Sequence, residues 1–156
     1  MPIHRADTVE TYETDGGGGP CGPCKVLPYS DAGGLTQFGA AVEILPPGSL
    51  SSIKHWHAEE DEFLMMLEGE VTLHEGDETH ILCPGDVVTW KAGDPVGHCV
   101  ENTSDAEARY LIVGTRSRSD TVTYPDHDRV LRVCRDPEER SWTDFSGRPA
   151  SNPYRP

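Results

Sequence analysis
Two histidines one residue apart, His55 and His57, are followed closely by Glu62, and a third histidine, His98, lies further along the chain. Side chains two apart on a strand point to the same face, so His55 and His57 can reach one ion while Trp56 points away. The acidic stretch from Ala58 to Asp61 is short enough for a hairpin turn, after which Glu62 opens the return strand on the same face. His98 opens a later strand after a turn rich in Gly and Pro. Three neutral imidazoles and one carboxylate suit a borderline divalent transition metal, and Fe, Mn, Ni, Zn and Cu are not separated by ligand type alone. Four protein ligands on an octahedral ion leave positions for water or substrate, unlike a closed structural zinc site. On spacing alone, the segment also fits a solvated pair of histidines beside four carboxylates.

Positioning such a site takes short strands, and the middle of the chain reads that way. Ala41-Val42-Glu43-Ile44-Leu45 is one strand, stopped by Pro46-Pro47-Gly48. Ser52 to His57 is a second, and Phe63 to Leu67 a third, closed by Glu68-Gly69. Glu70 to His74 alternates polar and apolar residues and turns at Glu75-Gly76-Asp77. Segments at 79–83, 87–90, 99–102 and 109–113 complete the set. Many short strands punctuated by Gly, Pro and Asp predict an all-β closed or double-sheet architecture. The 16 glycines and 13 prolines fit frequent turns rather than long helices. The expected organisation is an N-terminal extension over 1–34, a barrel over 35–116 and a C-terminal extension over 117–156. Gly16-Gly17-Gly18-Gly19-Pro20 reads as a flexible breaker. One short helix is expected in the C-terminal extension, with Asp136 as N-cap and Pro137 at the first helical position.

Charge narrows the partners. The 27 acidic and 13 basic residues give a net charge of −14, which repels a phosphate backbone, so no nucleic acid is expected. No apolar run is long enough to span a membrane. Met1-Pro2-Ile3-His4-Arg5 lacks the apolar core of a signal peptide, so a cytoplasmic location and free thiols are expected. Cys21-Gly22-Pro23-Cys24-Lys25 reproduces the thioredoxin active-site string. That chemistry needs a preceding strand and a helix start to lower the thiol pKa, and neither is legible here. A reversible disulfide remains the alternative reading of the pair. Cys99 follows His98 and is expected to face the other side as a small buried hydrophobe. His74, His80 and His127 are expected in solvent, Glu59, Glu60 and Asp61 in a hydrated turn, and Trp90 and Tyr110 in the core.

The string His55-x-His57-x4-Glu62-x6-Gly69 resembles the first motif of the cupin family at each of those positions. Gly85, five residues, Lys91-Ala92-Gly93, then His98-x3-Asn102 resembles the second. Lysine stands where the family has proline, and four residues rather than two separate Gly93 from His98. Six residues, where five are usual, separate Gly48 from His55. All four metal-binding positions are filled. The lead-in Gly34-Leu35-Thr36-Gln37-Phe38-Gly39 and the later Tyr124-Pro125-Asp126 are similar to those of a small conserved-barrel subfamily.

The resemblance implies a double-stranded β-helix, a jelly-roll-like barrel with one divalent metal inside one end, and a homodimer. Gly69 and Gly85 then occupy turns where positive φ suits glycine. Leu64 and Met66, on the face of Glu62, and Val100, on the face of His98, are expected to line a substrate pocket. Asn102 is expected to be a structural hydrogen-bonder. The implied activity is a metalloenzyme acting on a small oxygenated substrate by dioxygenase, isomerase or lyase chemistry, with no catalytic base named by the sequence. The alternative is a non-catalytic cupin that binds or senses a sugar or an acid.

Overall fold
The computed structural model describes residues 3–14 and 19–155. Gly16 to Gly18 of the expected breaker lie outside the described residues. Among the described residues, thirteen strands run in chain order: β1 (Tyr12–Thr14), β2 (Cys24–Leu27), β3 (Phe38–Leu45), β4 (Trp56–His57), β5 (Glu62–Glu68), β6 (Val71–Glu75), β7 (Glu78–Leu82), β8 (Val87–Trp90), β9 (His98–Glu101), β10 (Ala108–Thr115), β11 (Ser119–Tyr124), β12 (Arg129–Arg135) and β13 (Glu138–Thr143). The only helical pieces among the described residues are the four-residue Tyr29–Ala32 and a 3-10 turn at Pro125–His127.

The strands form three antiparallel sheets with orders β1-β2-β3-β10-β5-β8, β13-β12-β11-β4 and β7-β6-β9. Period-two alternation decides which side chains meet. On the six-stranded sheet, Glu43 pairs across to Tyr110, and Tyr110 to Met66, so this row faces inward with Leu45, Leu64 and Ile112. Val71, Leu73, Leu82 and Val100 of the three-stranded sheet close over it to make the main core. A second apolar cluster, Ile53, Val122, Tyr124 and Leu131, lies under the four-stranded sheet and is joined by Trp142 and Tyr154.

Gly69 joins β5 to β6 at φ 72°, and a Cβ there would stand 2.7 Å from the Glu107 carbonyl oxygen. Gly85 has φ 96°, so both glycines singled out by sequence occupy left-handed turns.

Segments outside 35–116 add strands to the same sheets: β1 and β2 extend the large sheet, and β11 to β13 build the four-stranded one. The helix expected at Asp136-Pro137 is not formed. Those two residues turn β12 into β13, with Arg135 paired to Glu138. The hairpin sets Trp142 beside Leu131 over the second core and covers the edge of β12, which a helix would have left open.

Candidate metal centre
His55 and His98 meet because their backbones pair directly. His55 N–H donates to the His98 carbonyl at 3.1 Å, and His98 N–H returns to the His55 carbonyl at 2.9 Å. Residues paired this way share a face. β4 carries His57 beside Val122 of β11, and β5 begins with Glu62 between Gly114 and Trp90. Ligand atoms of His55, Glu62 and His98 lie within 4.8 Å of one another. His98 Nε2 is 2.9 Å from Glu62 Oε2, and His57 Nε2 is 3.8 Å from the same oxygen.

The other ring nitrogens point away from this cluster. His55 Nδ1 faces the Ile53 carbonyl at 2.9 Å, and His98 Nδ1 faces the Val96 carbonyl at 3.3 Å. His57 Nδ1 faces Asp120 Oδ2 at 2.6 Å. A carbonyl or carboxylate only accepts, so each Nδ1 carries a hydrogen, and a ring in its neutral form then has its lone pair at Nε2. Burial, then neighbouring His57, lowers the His55 pKa to about 4, so this ring stays neutral near pH 7. Burial pulls His57 down, but the Asp120 bond and the charge of Glu62 outweigh it and raise its pKa. Burial pushes Glu62 and Asp120 up, while their histidine partners lower both overall. Imidazole nitrogens and a carboxylate oxygen gathered this closely form a donor set that fits a borderline divalent metal, which would take the place of the hydrogen His98 shares with Glu62.

The cluster borders a cavity of about 150 Å³ lined by Leu64, Val100, Ile112, Trp90, Glu43 and Tyr110. Leu64 and Val100, read from the sequence as pocket residues, line this cavity. Met66 instead packs into the core, because Tyr110 stands between it and Glu43 in the cross-strand row. Tyr110 belongs to the main core and Trp90 packs against it, as expected, and both also line the cavity. The Trp90 ring stacks on His98 at 3.9 Å, and its indole N–H donates to Glu75. Tyr124 stacks on His55 from behind at 5.5 Å.

Around the site, several residues depart from expectation. Glu60 is buried rather than hydrated, held by Arg135 at 2.7 Å and the Ser117 N–H. His74 is half-buried against Glu101, whereas His80 and His127 are exposed. Asn102 is fully buried and bonds the Leu45 and Ala106 carbonyls. Cys21 and Cys24 are free thiols packed against different clusters, and burial raises both, Cys24 to about 12. That is the reverse of an activated redox pair. Cys99 is buried as expected, with its pKa raised to about 11.

Sequence reasoning missed two carboxylates, Asp120 and Glu43. Glu43 did leave a signal, a lone charge inside the apolar strand Ala41 to Leu45.

The cupin domain family matches residues 41–114. A solved structure from Silicibacter pomeroyi, a sugar phosphate isomerase of the cupin superfamily, is 34% identical, covers 96% of this chain and 97% of its own, and superposes with a TM-score of 0.85. The chain belongs to the cupin superfamily. A protein from Acidithiobacillus ferrooxidans shares this cupin's fold at 22% identity, covering 96% of both chains with a TM-score of 0.82. A predicted oxalate decarboxylase from Thermotoga maritima shares the fold at 24% identity over 74% of this chain and 100% of its own, with a TM-score of 0.62. No curated protein matches this cupin in sequence. No helix among its described residues is long and apolar enough to cross a membrane.

Proposed function
We propose that this cupin is a metal-dependent isomerase of a small sugar-like hydroxycarbonyl compound, with His55, His57, Glu62 and His98 holding one divalent transition metal. The observation that carries the reading is the convergence of imidazole nitrogens on Glu62 beside one cavity. When bound, the metal polarises a substrate carbonyl and stabilises the charge that develops on its oxygen. Trp90 and Leu64 exclude water from one side. The name of the Silicibacter pomeroyi relative favours isomerisation over the dioxygenase and lyase alternatives. A cavity of about 150 Å³ takes the reacting end of a sugar, with the remainder outside. No lysine or arginine lines it, so a phosphate group would also lie outside.

The test is elemental analysis of untagged protein, wild type against His98→Ala, followed by turnover assays on aldoses and their phosphates. About one equivalent of metal is expected in the wild type and a large loss in the variant. Metal-loaded protein that binds these sugars tightly without turnover would establish the binding or sensing role instead.

We also infer that the chain pairs as a homodimer through the outer face of its large sheet. Leu67 and Val87 are 40% and 48% exposed there, beside half-buried Phe63, Met65, Leu111 and Val113.

A further inference from the structure
Besides the histidines and Glu62, the cavity carries a second pair of polar side chains, Glu43 and Tyr110. Glu43 is an inward-facing carboxylate near the middle of β3, and Tyr110 is its direct cross-strand partner on β10. The Tyr110 hydroxyl donates to Glu43 Oε2 at 2.5 Å, and Tyr110 is itself fully buried. Both residues line the same cavity as His55, Glu62 and His98. Among the described residues, no lysine or arginine lines it. A carboxylate in such a place costs stability relative to an apolar residue, and a tyrosine hydroxyl does not require one as its acceptor.

We propose that Glu43 is the proton-transferring residue of this cavity, positioned by Tyr110, for an α-hydroxycarbonyl substrate held between it and the histidine cluster. This rests on the isomerase reading above. Converting a hydroxyaldehyde to a hydroxyketone moves one hydrogen from C2 to C1 and one from the C2 oxygen to the C1 oxygen. The Glu43 carboxylate takes the C2 proton, and the C–H electron pair becomes the C1=C2 bond of an enediolate. The C1 carbonyl pair moves to O1, the hydroxyl proton on O2 passes to O1 within the enediolate, and the same carboxyl returns its proton to C1 as the C2 carbonyl forms, which restores the carboxylate. Electrons and atoms balance within the substrate, and no oxidant or co-reactant enters. Burial and the nearby charge of Glu62 raise the Glu43 pKa and the Tyr110 bond opposes them, which favours a base that can also act as an acid.

The test follows deuterium wash-in at the C–H positions of glyceraldehyde and dihydroxyacetone by proton NMR, using full-length metal-loaded protein. Wild type exchanges. Glu43→Gln exchanges at least ~100-fold more slowly with unchanged metal content, and Glu43→Asp recovers part of the rate. A second measurement needs no turnover: calorimetry of glycolohydroxamate, an acid whose anion resembles the enediolate, in buffers of different ionisation enthalpy. Wild type keeps the released proton on Glu43, whereas Glu43→Gln gives about one more proton to the buffer. Tyr110→Phe removes a donor that lowers the Glu43 pKa, so the acidic limb of the exchange profile moves to higher pH. The other titratable groups facing Glu43 are Glu62 on β5, Cys24 on β2 and Tyr12 on β1, and they are unchanged in that variant. Exchange by Glu43→Gln at the wild-type rate overturns the role of Glu43 and leaves the isomerase reading standing. No exchange by metal-loaded wild type with either probe overturns both.

Discussion
Each of the three histidines directs its Nδ1 hydrogen at an oxygen behind it, and only one of those oxygens is charged. Ile53 and Val96 supply carbonyls, while His57 relies on Asp120, which also accepts the Glu59 N–H at 2.9 Å. Asp120 therefore fixes both the ring of His57 and the turn that leads into Glu62. Asp120→Asn keeps the shape but can present an amide N–H to Nδ1, favouring the wrong tautomer. Its metal affinity should fall by about 10- to 100-fold. Competition with a chromophoric chelator measures this directly, and an unchanged affinity would show that Asp120 does not orient the ring. The closeness of His55, His57 and Glu62 was legible because alternation and turn length act locally along the chain. Asp120 was not, because His57 and Asp120 are 63 positions apart and meet only when β4 pairs with β11.

At the scale of the element, turns set the register that these side chains depend on. Gly69 closes the turn between β5 and β6, and β6 pairs with β9, which opens with His98. An alanine at position 69 would hold a left-handed φ and press its Cβ onto the backbone of Glu107. Gly69→Ala should cost about 1–3 kcal/mol from the backbone strain alone. For a chain of this size that lowers Tm by roughly 2–12 °C, checked by calorimetry. An unchanged Tm would mean that the turn relaxes freely. The barrel strands were legible between 35 and 116 because apolar runs there end in Gly, Pro or Asp. Strands β11 to β13 were hidden for a physical reason. They bury one face only, so Thr121, Thr123, Arg132 and Ser141 dilute the apolar signal of Val122, Leu131 and Trp142. The polar C-terminal composition thus belongs to a hairpin that backs His55 through Tyr124, not to a loose extension.

For the whole molecule, the net charge of −14 and the apolar outer face of the large sheet act in opposite directions. Two copies approaching through that face repel at long range, and salt screens this repulsion over a Debye length of about 8 Å at physiological ionic strength. Burial of Leu67, Val87 and their half-buried neighbours supplies an attraction that moderate salt leaves nearly unchanged. β8 is also the edge strand of its sheet, so its outer rim offers unpaired backbone groups to a partner. The dimer inferred above should therefore tighten, not weaken, as salt rises from low to physiological levels. Sedimentation equilibrium across a salt series reads this sign. Leu67→Glu combined with Val87→Glu places two charges where both side chains are already exposed, so the fold is kept and the dimer is lost. A wild type that stays monomeric at every salt concentration would exclude pairing through this face. A dimer that dissociates on adding salt would point to an interface built on ion pairs, such as the exposed arginines and glutamates of β12 and β13, instead of the apolar face.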